Sequence, residues 1–325
     1  MRVIIIGSGV AGVSFAEKYR TLNSEAEITL ITKEQDGYYS RPLLSRGFTK
    51  DDIEQSIILK PFAKLRDNGI QVLENTEVQS IQRTEKTITT DSTTLSYDKL
   101  IIATGSRAFI PPPFRPFKAS FYCFNSLQDL KALRRLREKV GKPHWAIIGG
   151  GLIGCELASD MATAGDNVTL FHALDRLMER QLNPENSEQL LQILKQSGVN
   201  VLFNQTIQNI TAQDEQTQIH SDTERLFDAV IVACGFAPRT ELAKDAGLNI
   251  GRGIKVNDFL QTEDPDIYAL GDVAELPDGK IYAFILPIRN QALWLAAHLT
   301  EANSQGWTAP TFQTKAKVHG FEATH

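Results

Sequence analysis

Gly149, Gly151 and Gly154 stand in the run G-G-G-L-I-G, between the apolar segment 145–148 and the helix-like text C-E-L-A-S-D-M-A. Glycines at this spacing suit one task, the holding of a dinucleotide pyrophosphate. The first permits a tight turn out of a strand, and the second lets backbone come close to phosphate. The third lets the next helix pack closely on the strand, whose N–H groups and positive dipole end then face the phosphates. The chain carries the pattern twice. Residues 3–6 read as a β-branched strand, G-S-G-V-A-G (Gly7, Gly9, Gly12) as the turn and 13–22 as a helix. Two complete fingerprints about 140 residues apart predict two dinucleotide sites.

The elements that must position these turns repeat as well. After the first fingerprint come a strand at 28–31, a loop at 38–46 leading into a short helix, and a helix at 61–68. Strands at 70–73 and 77–81, a hairpin over 87–97 with an Asp-Ser turn, and a buried strand at 100–106 ending A-T-G-S follow. After the second come a strand at 168–171, a helix at 185–196, a strand at 199–203, a hairpin around 212–220 and a buried strand at 229–233 running into A-C-G-F-A. Four prolines between positions 111 and 116 mark a boundary. The expected fold is α/β, an internally duplicated pair of Rossmann-like dinucleotide-binding domains. One is discontinuous, from 1–112 and 235–325, and the other, 113–234, is inserted into it. Beyond Gly235, T-E-D-P-D-I-Y-A-L-G-D (262–272) reads as a turn, a strand and an acidic stop, 286–299 as an apolar-periodic helix, and 308–325 as lacking a settled element.

Bulk properties exclude other classes. The 325 residues are long enough for two domains, and 42% hydrophobic with 22% charged residues is ordinary for a globular chain. A net charge of −5 with no long basic block argues against nucleic acid as a partner. The first residue runs straight into a strand, so no signal peptide is expected, and no apolar run approaches the ~20 residues of a membrane span. Cys123, Cys155 and Cys234 show neither C-x-x-C nor metal-ligand spacing, which predicts no metal site and a reducing, cytoplasmic setting.

The two fingerprints, A-T-G at 103–105 and the I-Y-A-L-G-D ending at Asp272 resemble the FAD-dependent pyridine nucleotide-disulfide oxidoreductase superfamily, from residue 1 to about 317. Within it, Y-S-R-P-L-L-S, G-L-I-G-C-E-L-A and Y-D-K-L-I-I-A-T-G are most similar to rubredoxin and flavorubredoxin reductases, and less so to the ferredoxin reductases of oxygenase systems. The resemblance implies that Gly7, Gly9, Val10, Ala11 and Gly12 hold the FAD pyrophosphate. Lys33 and Glu34 would lie by the adenosine ribose, Val78 near the adenine and Arg41 by the flavin-side phosphates. Asp272 would accept from the ribityl chain, with Ile285 and Lys317 against the isoalloxazine. Gly149, Gly151, Leu152, Ile153 and Gly154 would take NAD(P)H, with Glu156 near the flavin–nicotinamide stack.

No side-chain nucleophile or acid–base group is expected, and Arg46 either docks the partner or pairs with Glu156. The implied function is passage of electrons from NADH through FAD to a small, rubredoxin-like iron protein. Alternatives are a ferredoxin reductase of an oxygenase system, an NAD(P)H oxidase, and a non-catalytic nucleotide-binding redox sensor.

Three features depart from that family pattern. Thr32 and His172 stand where an acid would read the ribose about 20 residues past each third glycine. Glu34 can substitute at the first site, while Arg176 at the second offers a cation to a 2′-phosphate, although the resemblance points to NADH. Residues 38–48 hold no cysteine, so electrons are expected to leave the flavin directly. Cys155 is expected to be a packed residue. The family's C-terminal interface domain is expected to be largely absent. An acidic partner would need a basic surface, for which Arg46, Lys50 and the helix 131–139 are candidates.

Overall fold

The structure, a computed structural model, describes residues 1–301, 305–312 and 316–321. It divides into two compact units. The first takes Met1–Tyr39, Ile58–Arg107 and Pro238–Phe312; the second takes Ser40–Ile57, Ala108–Ala237 and Gln313–His325, of which 316–321 are described. Compared with the expected division, Ser40–Ile57 and the described residues 316–321 group with the second unit.

Each unit is built on a five-stranded parallel sheet. In the first the order is Ile267–Ala269, Lys99–Ile102, Arg2–Ile6, Glu27–Ile31, Ile70–Leu73. In the second it is Tyr122–Cys123, Ala229–Val232, His144–Ile148, Asn167–Phe171, Asn200–Leu202. The fingerprint strand is central in both, which accounts for its continuous apolar text, because a strand covered on both faces has no solvent side to alternate with. Val3, Ile5, Leu30 and Ile101 anchor one core; Ala146, Ile148, Phe171, Phe227 and Val230 anchor the other.

The duplication extends to single atoms. Gly7 N–H donates to Ile31 O at 2.8 Å, as Gly149 N–H does to Phe171 O at 2.8 Å. The φ angles of Gly7 and Gly149 are +115° and +118°, a region closed to most side chains. A Cβ on Gly12 would fall 1.9 Å from Gly7 O, and one on Gly154 the same 1.9 Å from Gly149 O. Both units also carry a three-stranded antiparallel sheet. Val78–Gln82, Thr87–Thr90 and Thr94–Ser96 form one, and Asn209–Gln213, Gln216–His220 and Glu224–Phe227 the other. The last strand, Glu224–Phe227, was outside the expected hairpin, because E-R-L-F is too short and mixed to stand out from loop text.

Other differences are local. The proline segment is a 3₁₀ helix, Pro112–Ser120, and the loop after Tyr39 is a second one, Arg41–Phe48. The buried strand expected over 100–106 stops at Ile102. The final helix is Ile285–Glu301, and the described residues beyond it hold no regular element; the rest of the expectation for 308–325 lies outside the described residues. No helix among the described residues is long and apolar enough to cross a membrane.

The close approach at the third glycine predicts a contrast. Gly154→Ala should cost at least about 3 kcal/mol, the upper end for overpacking, since its obstacle is backbone. Gly151→Ala, whose Cβ would meet nothing within 4 Å, should cost no more than about 1 kcal/mol, the loss of a favourable N-cap residue. Urea unfolding of both variants checks the order; a reversed order would remove close helix packing as the constraint on this turn.

Candidate functional site

The two glycine turns end in helices that lack side-chain caps. Gly9 precedes Val10–Leu22 and Gly151 precedes Leu152–Thr163, and neither N-terminus receives a side-chain hydrogen bond. Two other long helices do: Ser126 and Asp129 form a capping box on Leu127–Val140, and Asn183 caps Pro184–Gln196. At Gly9 and Gly151 φ is −71° and −82°, values any residue adopts, and a Cβ at either would meet nothing within 4 Å. Neither backbone strain nor packing therefore requires glycine at these two positions. Open space before a row of unpartnered N–H groups fits an approaching anion, and both turns fit a dinucleotide pyrophosphate.

In the first unit the expected ligand residues gather at the sheet end that carries the turn. Ser8 Oγ and Thr32 Oγ1 are 2.8 Å apart, and Thr32 Oγ1 accepts from Glu34 N–H at 3.1 Å. Tyr39 OH donates to Glu34 Oε1 at 3.0 Å, which fixes that carboxylate. Lys33 pairs with Glu77 at 2.8 Å, with both side chains well exposed, so the pair adds little stability. A cavity of about 280 Å³ is lined by Lys33, Asn75, Glu77, Gln79 and Asp91. Val78 is in the core, and Val10 and Ala11 begin the first helix.

Asp272 follows Gly271, whose φ is +80° and whose N–H donates to the buried Gln291 Oε1 at 2.8 Å. Ser106 Oγ donates to Asp272 Oδ2 at 2.7 Å. Ser106 and Gln291 were missed from sequence. Ser106 had a signal in its place directly after A-T-G, whereas Gln291 had none. Ile285 is exposed at the start of the last helix.

Arg41, Glu156 and Lys317 lie in the second unit. Arg41 donates to Asn125 O at 2.6 Å. Glu156 is buried in the second glycine helix, and its Oε1 accepts from Lys317 N–H at 2.7 Å, while Lys317 Nζ donates to Pro42 O at 2.9 Å. Burial pushes the Glu156 carboxyl above the usual range, and the charge of Lys317 pulls it only part of the way back.

Arg46 bonds a different carboxylate from the one expected. Its Nη1 contacts Asp160 Oδ1 at 2.9 Å, one helical turn beyond Glu156, and its Nη2 donates to Lys317 O at 3.1 Å. His319 joins both Arg46 and Asp160, with Nε2 2.8 Å from Asp160 Oδ1. The i, i+4 spacing of Glu156 and Asp160 was the available signal for this cluster. The Arg46 side chain is 20% exposed and its partner is fully buried, so the pair clamps segments of this unit together.

The basic helix 131–139 is also engaged. Arg134 faces Glu54 at 3.1 Å, Arg137 faces Asp166 at 2.8 Å, and Lys139 faces Glu215 at 2.7 Å. At the ribose-reading position of the second turn, His172 is buried, and Arg176 donates to the carbonyls of Leu182 and Glu179. The three cysteines are free; burial pushes the Cys155 thiol up and Cys234 up to about 11, so neither supplies a thiolate near neutrality. Among the described residues no group of three or more His, Cys, Asp or Glu could hold a metal ion.

Residues 1–298 match the family model described as pyridine nucleotide-disulphide oxidoreductase. The chain belongs to this family. A curated relative, the nitric oxide reductase FlRd-NAD(+) reductase of Vibrio vulnificus (strain YJ016), is 32% identical over 98% of this chain and 83% of its own. Among solved structures, a ferredoxin reductase from Rhodopseudomonas palustris is 27% identical with a TM-score of 0.87, covering 96% of this chain and 79% of its own. The NADH:rubredoxin oxidoreductase of Clostridium acetobutylicum is 27% identical with a TM-score of 0.81, over 98% and 80%. The family's oxidoreductase fold is thus present as two Rossmann-like units.

Two outcomes follow from the buried acids. A carboxyl whose folded pKa is raised has its stabilising protonated form fully populated at low pH and loses that contribution as pH rises through the folded pKa. Glu156→Gln should therefore match wild type in urea near pH 4 and exceed it at pH 8; a less stable variant at pH 8 would mean that pairing outweighs burial. Arg46→Ala leaves Asp160 buried without its cation and should cost about 3 kcal/mol at pH 7. A loss below about 1 kcal/mol would class the pair with surface ion pairs.

Proposed function

We propose that this chain is an FAD-dependent NADH oxidoreductase that delivers electrons to a small iron protein of the rubredoxin or flavorubredoxin kind, in the cytoplasm. One observation carries the reading. Two uncapped helix N-termini stand behind glycines that neither φ nor packing demands, in a chain 32% identical to a relative named for FlRd-NAD(+) reduction. In this reading the first unit holds FAD and the second takes NADH as substrate.

Bound FAD supplies the redox chemistry, accepting an electron pair as hydride and releasing electrons singly. The chain's own residues bind and orient. Backbone N–H groups from Val10 and Leu152 onward receive the two pyrophosphates. Glu34, held by Tyr39, accepts from ribose hydroxyls, and Asp272, held by Ser106, accepts from the ribityl chain. Lys317 is fixed at both ends within the second unit, its N–H on Glu156 and its Nζ on Pro42 O. The raised thiol pKa values of Cys155 and Cys234 favour direct electron release over a cysteine relay.

The purified chain should be yellow, bleach on addition of NADH, and turn over faster when oxidised rubredoxin is supplied. A yellow protein that bleaches but ignores rubredoxin would move the reading to an oxidase. Gly9→Val, which fills the open space at the first turn, should yield colourless protein, whereas Gly151→Val should keep its flavin and fail to bleach with NADH. A fully coloured Gly9→Val protein would overturn the assignment of the two turns.

A further inference from the structure

In a dinucleotide fold the residue ending the strand after the glycine turn reads the adenosine ribose. A carboxylate there bonds the ribose hydroxyls and repels a 2′-phosphate. In the second unit that residue is His172, and its ring is turned inward beneath the glycine turn. Nδ1 accepts from Gly150 N–H at 3.1 Å, so the ring carries its proton at Nε2, which donates to Arg176 O at 2.9 Å. The fit is close, since a Cβ on Gly150 would lie 2.9 Å from the His172 ring and 2.6 Å from Leu177. Arg176 is closed off as well, with its guanidinium donating to Leu182 O at 2.7 Å and Glu179 O at 2.8 Å.

The loop that follows doubles back on the same place. Met178 has a φ of +49°, a left-handed conformation that a side chain of its kind adopts only where its surroundings enforce it. Here its side chain is fully buried and its N–H donates to Gly150 O at 2.9 Å. The next residue, Glu179, returns its carboxylate to the strand end, with Oε2 3.3 Å from His172 Nε2. Its side chain is 23% exposed, and because the His172 Nε2 proton is directed at Arg176 O, the carboxylate keeps its acceptor sites for hydroxyls. The neighbouring cation, Arg180, is 86% exposed and lies 3.6 Å from Glu179 Oε1, a solvent-screened contact.

We infer that Glu179 is the residue that selects the nucleotide, its carboxylate replacing the acid missing at position 172 so that it bonds the ribose hydroxyls of NADH and repels the 2′-phosphate of NADPH. The inference rests on the second unit's being the NADH site. Recognition by Arg180 is the competing arrangement, and it predicts the opposite preference.

Calorimetric titration of the oxidised, flavin-loaded chain with NAD+ and with NADP+ reads binding without turnover. Wild type should bind NAD+ at least tenfold more tightly. Glu179→Gln should cut that ratio at least fivefold, and Glu179→Arg should bring it to one or below, while Arg180→Gln leaves it as in wild type. A wild-type preference for NADP+ overturns the inference, as does an unchanged ratio in Glu179→Gln at an unchanged thermal midpoint. If the Glu179 variants do not fold, Arg180→Gln decides: weakened NADP+ binding there places recognition on Arg180 and overturns the inference, whereas an unchanged ratio beside wild-type NAD+ preference supports it. Failure of the broader functional reading looks different, because neither nucleotide would then bind and NADH would not bleach the flavin.

Discussion

The contact on which both units depend is between a turn carbonyl and the bare Cα of the third glycine. Gly7 O and Gly149 O each occupy the place that a Cβ on Gly12 or Gly154 would need. That approach presses the helix against the central strand and aims its first N–H groups past the turn. The first glycine of each turn is held just as tightly, against Ala103 O in one unit and Ala233 O in the other, and at a positive φ. The packing of each helix on its strand and the exposure of its N-terminus follow from these few backbone contacts.

The middle glycine belongs to a different class of constraint. Gly9 and Gly151 have ordinary φ values and empty surroundings. A fold under stability pressure alone would gain by placing Ser, Asp or Asn there as an N-cap, as it does at Ser126 and Asn183. Forgoing that gain at both turns leaves each helix N-terminus open to an anion.

The second unit buries charge along one face of its glycine helix. Glu156 and Asp160 sit one turn apart, and both reach the terminal stretch through Lys317 and His319. Asp160 also takes Arg46 from the 3₁₀ helix Arg41–Phe48. Buried charges need partners more than they add stability, so these contacts fix where three segments remote in sequence must lie.

Much was legible from the chain text because it is local. The glycine turns, the central strands and the A-T-G and G-D turns are each written within a few neighbouring residues, although the strand before A-T-G ends at Ile102. The candidate positions Glu34 and Asp272 stand beside such motifs, whereas the groups that bond them are Tyr39, five residues away, and Ser106, 166 residues away. Pairing of charges was not legible. Arg46 and Asp160 are separated by 114 residues, and which of two acids one turn apart receives the guanidinium depends on how the two segments pack. Ring direction was hidden too: His172 occupies the ribose-reading position in sequence, yet its ring turns under Gly150 because a backbone N–H there offers it a donor. Sequence by itself determined the glycine turns and the central strands, since glycine spacing and apolar runs restrict φ, ψ and burial locally, but not the short strand Glu224–Phe227 or the 3₁₀ helix Arg41–Phe48. Tertiary structure decided which side chains meet, because hydrogen bonds and ion pairs depend on distances between segments that no local pattern encodes.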